Sequence, residues 1–154
     1  MTDVVLKTNR LIIRTASIPE MKSFIDTQTD DILKAAYQEM LDGALSNSDM
    51  YEWYALWMIE FSDGTHVGEL SFKGMSDEGM VEVGYGIVPE FRCRGYATEA
   101  VSAVSKWAVK EPLVRSVEAE CEIDNTASKR VLLKSGFVPT GVCGAEGPRF
   151  RYEG

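Results

Sequence analysis

The residues best suited to chemistry lie between Val81 and Glu99, reading Val-Glu-Val-Gly-Tyr-Gly-Ile-Val-Pro-Glu-Phe-Arg-Cys-Arg-Gly-Tyr-Ala-Thr-Glu. An apolar, β-branched run gives way at Pro89 to a basic, glycine-containing turn, and helical spacing starts at Ala97, so the segment reads strand, loop, helix start. Amides at a helix N-terminus carry the positive end of the helix dipole and hold a pyrophosphate where a residue without a side chain lets the anion approach. Gly95 is that residue, with Arg92 and Arg94 adding charge. Gly84, Gly86 and Gly95 also invite comparison with a dinucleotide-binding turn. That reading fails on spacing, because no Gly-x-Gly-x-x-Gly follows a strand and the first two glycines precede the turn.

Such a loop has to be held between a strand and a helix, and the rest of the chain reads as the framework that does so. Arg10 to Thr15 alternates around Leu11, Ile12 and Ile13 as a first strand, and Ser17-Ile-Pro-Glu20 has the cap, proline and acid of a helix start. Met21, Phe24 and Ile25 share one helical face. Ile32, Ala35, Ala36, Met40 and Leu41 repeat it after Asp30-Asp31, up to Gly43. Tyr51 to Phe61 reads as a strand, with Trp53 and Trp57 on one side and Tyr54, Leu56 and Met58 on the other. Asp63-Gly64 predicts a hairpin into His66 to Lys73, and Met80 to Val88 returns after the polar stretch Gly74 to Gly79 as the third strand of a meander. Thr98 to Lys110 spaces as a helix that Pro112 stops. Val114 to Ile123 alternates, with Val117, Ala119, Cys121 and Ile123 on one face and Glu118, Glu120 and Glu122 on the other, at least two of these glutamates reading as exposed. Asp124-Asn125 caps a last helix that ends at Gly136, and short strands around Val138 to Cys143 and Phe150 to Tyr152 finish the chain.

Composition bounds the function classes. The chain has 154 residues, 45% hydrophobic and 26% charged, and no repeat or linker, so residues 1–154 read as one globular domain. No apolar run reaches the ~20 residues of a membrane helix and no basic-then-apolar leader opens the chain, so the expected compartment is the cytoplasm. A net charge of −8 disfavours a nucleic-acid partner and suits a cationic substrate, although solubility alone accounts for it equally well. Cys93, Cys121 and Cys143 are odd in number and far apart, which fits a reducing compartment and no metal knuckle. The one histidine, His66, reads as a surface hairpin residue rather than half of a nucleophile dyad.

Arg92-x-x-Gly95-x-Ala97 resembles the acetyl-coenzyme A signature of the GNAT acetyltransferases, which is Arg or Gln, two residues, Gly, one residue, then Gly or Ala. Asn125-Thr-Ala-Ser-Lys-Arg-Val-Leu-Leu-Lys-Ser-Gly-Phe137 resembles the second conserved segment of that superfamily, with matches at Asn125, Ser128, Lys134, Gly136 and Phe137. Singly, Asn125 is a helix cap, Gly136 a terminator, Phe137 a core aromatic and the arginines solvated charges. Their joint order is what those readings leave unexplained. With the opening Thr8-Asn-Arg-Leu-Ile-Ile-Arg14, the chain looks most like the ribosomal-protein N-terminal (RimJ/RimL-type) branch.

The resemblance implies an α/β (α+β) fold, with a central mixed, mostly antiparallel sheet of about seven strands flanked by about four helices. Two splayed strands, Val81–Val88 and Val114–Ile123, would form the acetyl-coenzyme A cleft. Backbone amides of Arg92, Cys93, Arg94, Gly95, Tyr96, Ala97 and Thr98 would then bind the pyrophosphate. Ile87 and Val88 would meet the pantetheine and supply an oxyanion donor, and Asn125 and Ser128 would bond the pantetheine side. The implied reaction, which needs no metal, is attack by a neutral primary amine, on a protein N-terminus or a small molecule, at the thioester carbonyl. An alkylammonium of pKa near ~10 must first lose a proton, so a carboxylate base is expected. Glu82 is the first candidate, with Glu69 and Glu120 as rivals. The family's tyrosine acid falls at Leu132, and Ser128, one turn earlier, is the catalytic candidate for the vacant role. The expected state is a monomer or homodimer. The alternative is a catalytically weakened coenzyme A-binding regulatory or interaction module, and Leu132 is the feature in its favour.

Overall fold

The structure, a computed structural model, describes residues 3–154. The first half comprises β1 (Val5–Lys7), β2 (Ile12–Thr15), α1 (Ile18–Asp26), α2 (Asp31–Ser46), α3 (Tyr51–Tyr54), β3 (Trp57–Glu60) and β4 (His66–Ser71). The second comprises β5 (Met80–Glu82), β6 (Gly84–Ile87), α4 (Tyr96–Ala108), β7 (Ser116–Glu120), α5 (Thr126–Lys134), β8 (Phe137–Cys143) and β9 (Pro148–Tyr152). The α/β architecture is the expected GNAT fold, with more strands and one more α-helix than expected among the described residues. β1-β2-β3-β4-β6 form an antiparallel sheet, and β5-β7-β9-β8 form a second in which only β5 and β7 run parallel.

Local chemistry sets these elements. Ser17 and Glu20 close the predicted capping box on α1, and the Arg14 fork bonds both Glu20 and Glu60, tying β2 to the helix and to β3. α2 runs past Gly43 to Ser46, because Asn47 bonds the Gly43 carbonyl through both its amide and its side chain. The stretch from Tyr51 to Phe61 is only partly a strand. Tyr51–Tyr54 is a helical turn, held by the Tyr51 hydroxyl on the Ala16 carbonyl and the Trp57 indole N–H on the Glu52 carbonyl. An apolar run satisfies helical and strand periods alike when it is buried on every side.

The expected third meander strand is divided between the two sheets. Met80–Glu82 pairs with Ser116–Glu118, whereas Gly84–Ile87 pairs with β4, and the change of partner falls at Val83. Trp57 and Ile59 join Val101, Val104 and Ala108 of α4 in the larger core, where Trp53 stacks on Trp107 at 5.0 Å. Leu56 and Met58 join Met21, Ile25, Leu41 and Ala44 of α1 and α2 in the other. β7 buries Val117 and Ala119, and Cys121 just past its end is buried too, as expected, but Ile123 lies further on and is 68% exposed. Glu118 and Glu120 are not an exposed polar face, since both are drawn in by Arg149.

Candidate active site

The change of partner at Val83 makes a wedge. The Val83 amide donates to the Glu118 carbonyl at 2.9 Å, and beyond that rung β6 follows β4 while β7 follows β9. The strands part into a cleft of about 420 Å³. Gly84, Tyr85 and Gly86 line one wall, Glu120, Cys121, Asn125 and Ser128 the other, and Glu69, Tyr37 and Met40 the far side. The Val88 amide is bonded to the Val67 carbonyl at 2.8 Å, so Val88 is not a free donor. The alternation of an antiparallel ladder then turns the Tyr85 and Ile87 amides toward the gap. The Ile87 carbonyl accepts from Arg92 Nε at 3.0 Å, which anchors the start of the basic loop to the strand.

That loop ends in two left-handed residues, Cys93 at φ 63° and Gly95 at φ 83°, with Gly95 the N-cap of α4. Among the described residues, the amides of Cys93, Arg94, Gly95, Tyr96, Ala97 and Thr98 find no acceptor. Consecutive unpartnered amides at the positive end of a 13-residue helix fit a bound pyrophosphate. A Cβ on Gly95 would stand 3.3 Å from Arg10 Nη2, so the space this glycine leaves lies beside an arginine from the start of the chain. Across the wedge Asn125 caps α5, its Oδ1 accepting the Ser128 amide at 3.0 Å.

The candidate bases are sorted by their neighbours. Glu82 is bound by Lys73 Nζ at 2.9 Å and Arg149 Nη1 at 3.0 Å and is absent from the cleft wall. Burial pushes its carboxyl up, but the two cations outweigh this and hold it below the ordinary glutamate value. The structure therefore disfavours Glu82 as the base. Glu120 lines the cleft, yet it is bonded by Arg149 Nη1 at 2.8 Å and by the Glu146 amide at 2.7 Å. Glu69 also lines it, and its ionisable partner is His66, at 2.8 Å from Nε2 to Oε2, with the Tyr37 hydroxyl at 3.5 Å. His66 is thus half-buried against a carboxylate rather than a free hairpin residue.

Ser128 has a partner that sequence reasoning missed. The Tyr85 hydroxyl, on the opposite strand, lies 2.7 Å from Ser128 Oγ. Burial outweighs that bond and pushes the phenol above its ordinary pKa, so it stays a neutral O–H group. The alternation Gly84-Tyr85-Gly86, a lone aromatic between two glycines, was the available signal. Leu132 is fully buried in the larger core, so it is packing rather than a vacant acid position. Leu132→Tyr is expected to destabilise the fold by about 1–3 kcal/mol through overpacking and an unpartnered hydroxyl, read as a lowered denaturant midpoint without a gain in rate.

A strand wedge with a loop of unpartnered amides at one end and a capped helix across the gap defines a coenzyme A-dependent acyltransferase. Residues 8–138 match the family model for the acetyltransferase (GNAT) domain. The chain belongs to the GNAT family and is an acetyl-coenzyme A-dependent N-acetyltransferase. It is 31% identical over 153 residues to the uncharacterized N-acetyltransferase YjdG of Bacillus subtilis (strain 168), across 88% of this chain and 90% of that protein. A second relative of the same organism, the uncharacterized N-acetyltransferase YoaA, is 28% identical across 90% of this chain and 85% of that protein. The fold is shared with RimL, a ribosomal L7/L12 α-N-protein acetyltransferase solved with coenzyme A (TM-score 0.73, 15% identity, 96% of this chain and 95% of that one). It is also shared with the ribosomal-protein-S5-alanine acetyltransferase of Vibrio fischeri (TM-score 0.75, 15% identity, 97% of this chain and 94% of that one). Among the described residues, no helix is long and apolar enough to cross a membrane.

Proposed function

We propose that this protein, acting as a single cytoplasmic domain, acetylates a primary amine and that the amine is a protein N-terminus. The observation that carries the reading is the wedge beyond Val83, with unpartnered amides in the loop that leads into α4 and the Glu69 carboxylate on the cleft wall. The α-amine is favoured over small amines because the fold neighbour RimL is an α-N-protein acetyltransferase and a second neighbour is a ribosomal-protein-S5-alanine acetyltransferase. When bound, acetyl-coenzyme A supplies the activated acetyl group. The loop amides from Cys93 to Thr98 bind its pyrophosphate, the expected Arg92 amide being taken by the Pro89 carbonyl at 3.3 Å, and the outward Ile87 amide bonds the pantetheine or the developing oxyanion. Glu69 takes the proton of the attacking amine. The sulfur leaves as the thiolate, which the Ser128 hydroxyl, backed by the Tyr85 hydroxyl, stabilises by donating a hydrogen bond while solvent supplies the proton. A binding module without transfer is the weaker reading, because Leu132, its supporting feature, is a core side chain.

The test is thiol release from acetyl-coenzyme A against N-terminal peptides, polyamines, aminoglycosides and amino acids, with products identified by mass. Release with peptides alone is the expected result. Release confined to a small-molecule amine would overturn the protein-terminus assignment while leaving the chemistry intact.

A further inference from the structure

The loop that presents the free amides is held from behind by a residue far away in sequence. Arg10 Nη1 donates to the Arg94 carbonyl at 3.0 Å and Arg10 Nε to Glu99 Oε1 at 2.8 Å, while its backbone amide donates to Glu99 Oε2 at 2.9 Å. Thr8 bonds the same Glu99 oxygen. The guanidinium also lies 4.4 Å over the Tyr96 ring. Glu99 is in the first turn of α4, so the arginine is registered against the helix and holds the loop at the same time.

The consequence follows from peptide planarity. In a trans peptide the carbonyl and the following amide point in opposite directions, and no peptide of this chain's described residues is cis. Fixing the Arg94 carbonyl on Arg10 therefore turns the Gly95 N–H to the opposite side of the loop, the side on which an anion is received. Gly95 is the residue most able to let this peptide rotate, since glycine adopts both signs of φ. Without the clamp the peptide can turn its carbonyl toward the anion and its amide away.

We propose that Arg10 is a positioning residue for coenzyme A binding, locking the Arg94–Gly95 peptide in the orientation that directs the Gly95 amide into the pyrophosphate site. The inference rests on the assignment of the loop to the pyrophosphate. Arg10 acts through the backbone, from behind the loop, and its fork geometry is essential because it must reach the Arg94 carbonyl and the Glu99 carboxylate together. Glu99 is the second part of the clamp and aims the arginine.

The experiment is calorimetric titration of the purified protein with coenzyme A, alongside thermal melts of the unliganded variants. Arg10→Ala is expected to weaken binding about 10- to 30-fold through lost preorganisation, with a melting change no larger than that of a surface ion pair. Glu99→Gln, which leaves Arg10 in place but loosens its aim, is expected to weaken binding by a smaller factor and serves if Arg10→Ala folds poorly. Arg10→Lys keeps the charge but not the fork and is not expected to restore affinity. Full restoration by lysine would overturn the inference, since charge alone would then suffice. A loss that disappears with dephospho-coenzyme A would also overturn it, because the arginine would then be serving the 3′-phosphate. Unchanged affinity in both Arg10→Ala and Glu99→Gln overturns it outright. Failure of the unsubstituted protein to bind coenzyme A overturns instead the loop assignment on which it rests.

Discussion

Gly95→Asp is expected to abolish useful coenzyme A binding, weakening it at least about 100-fold, or roughly 2.7 kcal/mol. Three effects act in the same direction. The position has φ 83°, a left-handed conformation costing about 1–2 kcal/mol for a residue with a side chain. The new Cβ would stand 3.3 Å from Arg10 Nη2, so the carboxylate would capture the guanidinium that the Arg94 carbonyl and Glu99 share. A negative charge would also be added beside amides whose one common property is their attraction for an anion. Gly95→Ala keeps the first effect and part of the second, and an intermediate loss of about 10-fold is expected of it. Titration with coenzyme A reads both variants. An unchanged affinity in Gly95→Asp would remove this loop from the cofactor site altogether.

How much of this site was legible in sequence depends on how far apart its parts lie. The loop from Arg92 to Thr98 is a local device in which a left-handed glycine, a helix start and flanking cations are contiguous, so spacing reveals it. The Asn125 cap and the capping box at Ser17 are local in the same way. The contacts that bear on the choice of base were hidden because they are remote. The ion pair that occupies Glu82 joins it to Arg149 across 67 positions, and the contact that completes Ser128 joins it to Tyr85 across 43. The division of Met80–Val88 between two sheets was hidden for another reason. Extended backbone looks the same whichever neighbour it pairs with, and only the Glu118 carbonyl on the Val83 amide marks where the partner changes. Leu132 matched the family's register, but register does not report that the side chain is enclosed by core.

Glu69→Gln is expected to slow acetylation at neutral pH by about 10²- to 10³-fold, the usual contribution of a positioned general base. Binding of coenzyme A should be unchanged, because Glu69 is bonded to His66 and Tyr37 and to none of the loop amides. The loss should narrow as pH rises, since a growing share of the amine then arrives already deprotonated. His66 allows the same pair to be followed without an acceptor. Its bond to Glu69 raises the imidazole pKa despite burial, so the pair stabilises the fold fully below the unfolded histidine's pKa, near ~6.5, and ceases to do so as pH rises through the raised folded value. In that same interval His66 loses its charge and Glu69 becomes a less neutralised acceptor, so the rate of the unsubstituted enzyme should climb. The chain has a single histidine, whose ring protons therefore titrate as one resolvable set of NMR signals. Glu69→Gln should move that titration downward, and Glu82→Gln should leave it in place and change turnover at most a few-fold. Were Glu82→Gln instead the variant that loses rate selectively at neutral pH, the base would be Glu82 after all, freed from Lys73 and Arg149 when substrate binds, and the wedge would have to rearrange around β5 during turnover.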